Sequence, residues 1–134
     1  MRVLGIDLGG SRTGLALSDP LGLTCSPLDV VAERDEERLL LRIVAEAKEQ
    51  HVGEIVVGLP RPLAGGTNRQ MESTLAFAKR LERQSGIPVV TWDERFTSKL
   101  AEKGRSRATA RDAAAACYML QSYLDSRPNT RGDA

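Results

Sequence analysis

Residues 2–18 read Arg2-Val3-Leu4-Gly5-Ile6-Asp7-Leu8-Gly9-Gly10-Ser11-Arg12-Thr13-Gly14-Leu15-Ala16-Leu17-Ser18. The run from Arg2 to Leu8 is apolar, contains β-branched residues and stops at Gly9-Gly10. Gly14 to Ser18 resumes it, the pattern of a hairpin. Leu23 to Ala32 supplies a third strand, interrupted by Pro27. Three strands with short links predict an antiparallel meander. The period then changes: Asp35 to Gln50 sets Leu39, Leu40, Ile43, Val44 and Ala47 on one helix face. Ile55-Val56-Val57-Gly58 is short and continuously apolar, as in a strand covered on both faces. Thr67-Asn68-Arg69-Gln70 matches a capping box that opens a helix to Ser85, and Gly86 ends it. Ile87 to Trp92 is another short apolar strand, delivering Asp93-Glu94-Arg95 beyond its end. Ala108 to Leu124 closes the chain as a helix whose Ala113 to Ala116 stretch can lie close to a sheet. The order β-β-β-α-β-α-β-α predicts an α/β domain over residues 1–126. Its sheet is mixed and five-stranded, a three-strand antiparallel meander plus two parallel strands, with helices on both faces. Residues 127–134 read as a disordered tail.

With 134 residues and 41% hydrophobic content, one core forms without disulfide or metal staples. Charge interrupts the N-terminal apolar run too early for a signal peptide, and no stretch reaches membrane-spanning length. A soluble, cytoplasmic protein is expected. Cys25 and Cys117 lack C-x-x-C spacing and a nearby histidine, which predicts buried free thiols rather than a zinc knuckle or a disulfide framework. His51 is the only histidine. It sits in Glu49-Gln50-His51-Val52-Gly53, which reads as a helix end with Gly53 as the stop, where a cation meets the helix dipole. That largely excludes serine and cysteine hydrolases built on a histidine base. Hydrolytic chemistry then falls to carboxylates, with or without hard metal ions.

The formal net charge is only +1, but its distribution is uneven. From Arg95 to Arg131 the bases Arg95, Lys99, Lys103, Arg105, Arg107, Arg111, Arg127 and Arg131 face only Glu102, Asp112 and Asp125. A polyanion could bind there, although a solvated helix face and a basic tail have the same composition. Asp7 ends the first strand against glycines, a position that alone more often caps a turn. Glu94 follows a second apolar strand, and ligands in α/β sheets gather beyond the carboxyl ends of strands. Two carboxylates at one edge repel unless a cation sits between them. Asp112 opens the last helix, where the dipole favours an acid in any case. Together the three oxygen ligands suit Mg²⁺ or Mn²⁺ rather than zinc, and two such ions would serve phosphodiester cleavage.

Five blocks carry a resemblance: Gly5-Ile6-Asp7-Leu8-Gly9-Gly10-Ser11-Arg12-Thr13-Gly14 with Ser18-Asp19-Pro20; Val56-Val57-Gly58-Leu59-Pro60; Asp93-Glu94-Arg95-Phe96-Thr97-Ser98; Asp112; and Leu120-Gln121-Ser122-Tyr123-Leu124-Asp125. Spanning nearly the whole chain in order, they resemble the YqgF family. Its members are described as Holliday-junction-resolvase-like nucleases, or as nucleases that trim the 5′ end of pre-16S rRNA, with a ribonuclease-H-like fold. The resemblance implies that Asp7, Glu94 and Asp112 are the catalytic, metal-holding carboxylates, and that Arg12, Arg95, Thr97 and Ser98 contact nucleic acid. One departure is the short segment from Lys99 to Arg111, where the family has a longer basic one. Lys103, Arg105, Arg107 and Arg111 keep its charge, so a reduced electrostatic footprint is expected. Arg61 and Arg69 flank the Gly65-Gly66 loop and are expected to add phosphate contacts near a helix N-terminus.

The leading expectation is a metal-dependent endonuclease, monomer or homodimer, acting on pre-16S rRNA, with branched DNA as the alternative substrate. An actin-like or sugar-kinase ATPase is a rival, because Gly5-Ile6-Asp7-Leu8-Gly9-Gly10 also resembles the first phosphate-binding turn of those proteins. Length opposes it, since they close two such domains around the nucleotide, and no G-K-[ST] loop is present. A catalytically silent nucleic-acid-binding module is the third reading.

Overall fold

The computed structural model describes residues 1–62, 64–94 and 108–127, with the backbone alone over 108–112. The strands are β1 (Arg2–Asp7), β2 (Thr13–Ser18), β3 (Cys25–Val31), β4 (Val52–Leu59) and β5 (Val89–Asp93). The helices are α1 (Glu36–Glu49), α2 (Arg69–Ser85) and α3 (Ala108–Ser126). All five strands form one sheet in the order β3-β2-β1-β4-β5. β1 pairs antiparallel with β2 and β2 with β3, while β4 runs parallel to both β1 and β5. The expected meander plus two parallel strands is therefore the fold observed. Pro27 is tolerated because β3 is an edge strand, and the register slips beside it between Leu15 and Ala16.

Alternation along the strands divides the core. Leu4, Ile6, Ile55 and Val57 face α1 and α2, packing with Leu40, Ile43, Phe77 and Leu81. Val3, Ala16 and Val56 face the opposite way, toward Ala116, Met119, Leu120 and Leu124 of α3. Close approach of α3 depends on Gly5, where an added Cβ would lie 2.8 Å from Leu120 Cβ.

Two local expectations shift by a residue or two. The first turn of α2 is capped by Asn68, whose Oδ1 accepts the Met71 N–H at 2.8 Å. Thr67 instead donates its hydroxyl to Glu72. The extended backbone that a cap requires falls on Asn68, so the capping box read from Thr67 to Gln70 does not form. After α1, His51 takes the left-handed position (φ 55°), and Gly53 is not the stop but a residue of β4. Gly53 lies beside the exposed Met1 side chain, whose Cγ and Sδ an added Cβ would approach to 2.5 and 2.7 Å. Gly86 does end α2 in the left-handed conformation, as expected.

Ser18 and Asp19 build the β2–β3 turn. Ser18 Oγ accepts the Val3 N–H at 2.7 Å and donates to the Asp19 carbonyl. Asp19 Oδ1 accepts the Leu23 and Thr24 N–H groups, and the Leu23 bond above all holds its carboxyl below the usual range.

Candidate active site

Parallel pairing brings the carboxyl ends of β1, β4 and β5 together, and strand parity decides what they present. Gly5 pairs with Val56 and Ile6 with Val57, so Asp7 comes level with Gly58, which in turn pairs with Trp92. Val3 and Gly5 face α3, and the period of two carries Asp7 to that face. The same parity carries Gly58 there after Val56 and Glu94 after Val90 and Trp92.

Gly58 shows where the Glu94 carboxylate goes. A Cβ added at Gly58 would lie 2.7 Å from Glu94 Oε2 and 3.1 Å from its Cγ. Glu94 therefore reaches sideways, laying its carboxylate over β4 rather than over its own strand. Neighbouring strands are about 4.8 Å apart, so this reach takes up one of the two strand spacings that separate it from Asp7. Asp112 lies in α3, one helical turn ahead of the fully buried Ala116; its side chain is outside the described residues. Among the described residues no three His, Cys, Asp or Glu side chains gather as a metal-holding group. The structure thus brings Asp7 and Glu94 to one face of one edge and leaves the Asp112 carboxylate undescribed.

Behind this edge α3 is anchored by polar and aromatic contacts. Trp92 Nε1 donates to Ser122 Oγ at 3.2 Å, and the Trp92 and Tyr123 rings meet edge to face at 5.6 Å. Tyr123 donates its hydroxyl to Glu54 Oε2 at 3.0 Å, and Arg127 lies over the Tyr123 ring. Arg127, the first residue of the expected tail, thus packs on the domain; residues 128–134 lie outside the described ones.

The basic candidates divide as well. Arg12 is exposed in the β1–β2 turn and Arg69 is exposed at the start of α2. Arg61 Nε lies 3.3 Å from Asp93 Oδ2, so its charge is drawn to a carboxylate that is only 11% exposed. Arg95, Thr97, Ser98, Lys103, Arg105 and Arg107 lie outside the described residues, and Arg111 is described by its backbone alone. A cavity of about 240 Å³, lined by Gly9, Gly10, Arg34, Gln70, Ser73 and Phe77, opens on the α1–α2 side. It is separate from the carboxylate face. Gly58 was the residue to which sequence reasoning gave no role. Its signal was a glycine inside a buried, β-branched strand, which marks close approach by another group.

A mixed five-stranded sheet with a helix packed across one face is an arrangement shared with known proteins. The family model described as "RuvX: Holliday junction resolvase" matches residues 1–126. The chain belongs to the RuvX family. Over its full length it is 42% identical to a protein of Pelotomaculum thermopropionicum named "Putative pre-16S rRNA nuclease", covering 93% of that relative. The RuvX family is one of nucleases, hydrolases of nucleic-acid ester bonds, as the sequence reading expected. Among solved structures, RuvC of T. thermophilus in complex with a Holliday junction substrate superposes with a TM-score of 0.65 at 16% identity. The match covers 93% of this chain and 95% of that one, and it bears out the ribonuclease-H-like fold. A ROK hexokinase from Thermus thermophilus matches at TM-score 0.52 and 26% identity, covering 76% of this chain but 37% of the kinase. The likeness to the kinase takes in little more than a third of that chain.

Proposed function

We propose that this RuvX-family chain is a metal-dependent nuclease of the cytoplasm that processes the 5′ end of pre-16S rRNA, with Asp7, Glu94 and Asp112 as its metal-holding carboxylates. The observation that carries the reading is the open space at Gly58, which lets the Glu94 carboxylate lean over β4 toward Asp7. Directing one carboxylate toward another costs free energy unless positive charge offsets it, which supports a cation site at this edge. The donor set is all oxygen, which fits Mg²⁺ or Mn²⁺. When bound, such ions supply Lewis acidity that activates water and stabilises the leaving oxygen.

The chain's own contribution is placement. Asp7 is fixed by the β1 ladder and Glu94 by the end of β5, and Asp112 would complete the ligand set from α3. Arg12, Arg69, Arg95, Thr97, Ser98, Lys103, Arg105, Arg107 and Arg111 would hold the phosphate backbone, with Arg61 contributing if it exchanges Asp93 for a phosphate. Pre-16S rRNA as the substrate rests on the names of the full-length relatives. Branched DNA is the second reading, favoured by the family description.

The test compares wild type with Asp7→Asn on a pre-16S rRNA fragment and a four-way DNA junction, in Mg²⁺, in Mn²⁺ and in chelator. The substitution should lower cleavage by about 10³-fold or more, a barrier increase of ~4 kcal/mol. Salt-sensitive binding and thermal stability should persist. Undiminished cleavage by Asp7→Asn, or full wild-type activity in chelator, refutes the carboxylate–metal reading. Cleavage of the junction alone moves the substrate to branched DNA.

A further inference from the structure

Outside the carboxylate edge, one pair of reactive side chains meets on the α3 face. Cys25 opens β3, at the rim of the sheet, and Cys117 follows the buried Ala116 in α3. Ninety-two positions apart in sequence, their sulfurs lie 3.1 Å from each other. Cys25 Sγ also lies 3.1 Å from the Cys117 carbonyl, and Cys117 Sγ 3.5 Å from the Cys25 carbonyl. Both are free thiols and half-buried. The nuclease reading gives them no part. Soft-metal binding is a poor account of the pair, because among the described residues no third ligating side chain joins it.

We propose that Cys25 and Cys117 form an oxidation site, a dithiol that a hydroperoxide converts into an intramolecular disulfide joining β3 to α3. The sulfurs stand about 1 Å beyond the ~2.05 Å of a disulfide bond, a gap that small side-chain rotations close. Cys117 is the attacking sulfur. The hydrogen bond it receives from Cys25 lowers its thiol to about 7, while that same bond, with burial, pushes Cys25 up. The Cys117 thiolate attacks the peroxide O–O bond, leaving a sulfenic acid and releasing hydroxide, which takes up a proton to become water. Cys25 sulfur then attacks the sulfenic sulfur and expels a second water, its proton leaving with that oxygen. Two thiols and one hydrogen peroxide thus give one disulfide and two waters. A small dithiol reverses the reaction by exchange.

The cross-link closes a long loop of the unfolded chain, and its product anchors the helix that carries Asp112 to the far edge strand. The experiment treats the reduced full-length chain with hydrogen peroxide and follows thiol count, intact mass and melting temperature. The expected product is a monomeric chain lighter by two hydrogens, with no titratable thiol and one peptide pair linking Cys25 to Cys117. Its melting temperature should rise by about 5 °C or more and return after dithiothreitol. A sulfenic-acid trap should label Cys25→Ser at Cys117, and label Cys117→Ser at least ~10-fold less. A disulfide between two chains, sulfinic acid in place of the mass loss, or thiols that persist in peroxide each overturn the proposal. The wild-type mass decides it even if a serine variant fails to fold.

Discussion

Under α1 and α2 the sheet presents Leu4, Ile6, Ile55 and Val57 to a layer of large side chains, Phe77 and Leu81 among them, and that side is predominantly apolar packing, although α2 also buries Thr74. Under α3 the same strands present Gly5, Asp7, Glu54 and Gly58, and the helix answers with Ala116, Cys117, Ser122 and Tyr123. Polar and glycine positions are costly in a core, so their greater share on one face gives the two faces different roles: one side supplies stability, and the other, on the function proposed above, accepts lower packing quality to hold reacting groups. The division gives each face its own expected response to substitution.

The largest effect is expected on the α1–α2 side. Phe77 is 2% exposed and central to the α2 contact with the sheet. Phe77→Ala should cost about 3–5 kcal/mol in urea unfolding at 25 °C, the range for deleting a buried aromatic. Cleavage per folded molecule should stay near wild type, because the cavity opens on the side away from the carboxylates. If specific activity collapsed while the remaining protein was folded, the two faces would be coupled and the division lost.

A matched pair of glycines sharpens the contrast within the α3 face. Gly5 makes room for a helix side chain and Gly58 for a carboxylate, at nearly equal distances of 2.8 and 2.7 Å. At Gly5 the obstructing atom is Leu120 Cβ, fixed to the helix backbone, so Gly5→Ala should push α3 outward and cost about 1–3 kcal/mol. At Gly58 it is the far end of a flexible side chain, which can swing away. Gly58→Ala should therefore change stability by less than ~1 kcal/mol yet lower cleavage about 10- to 100-fold through misplacement of Glu94. Equal losses of stability in the two variants would show that Glu94 is not held where Gly58 allows.

Most of this architecture was legible in the sequence because it is written in periods. The switch from a period of two to 3.6 after Ala32, and the glycines closing β1 and α2, define the sheet and its helices. Asp7 and Glu94 were legible as strand-end carboxylates. The turn details were not, since Thr67 and Asn68 are both good caps and only the backbone angles choose between them. The end of α1 differs for a related reason: a left-handed position favours glycine, yet here the backbone places His51 in it and Gly53 in β4. The sideways reach of Glu94 and the meeting of Cys25 with Cys117 depend on distant segments. No local pattern encodes that information.

The smallest effect tests whether the polar face carries a pH dependence of its own. Burial raises the Tyr123 hydroxyl above its ordinary value, and the neighbouring Glu54 carboxylate adds to the shift, partly offset by Arg127. A group whose folded value is raised keeps its proton in the native state at pH values where the unfolded chain has released it. Its stabilisation is therefore complete below pH 10 and declines as pH climbs through the folded value. Tyr123→Phe removes both the hydrogen bond to Glu54 and this decline. Urea unfolding at pH 8 should show the variant slightly less stable, and between pH 9.5 and 11 the gap should narrow, because only wild type carries the extra alkaline loss. A gap that stayed constant across that range would mean that the Tyr123 proton is not held by Glu54.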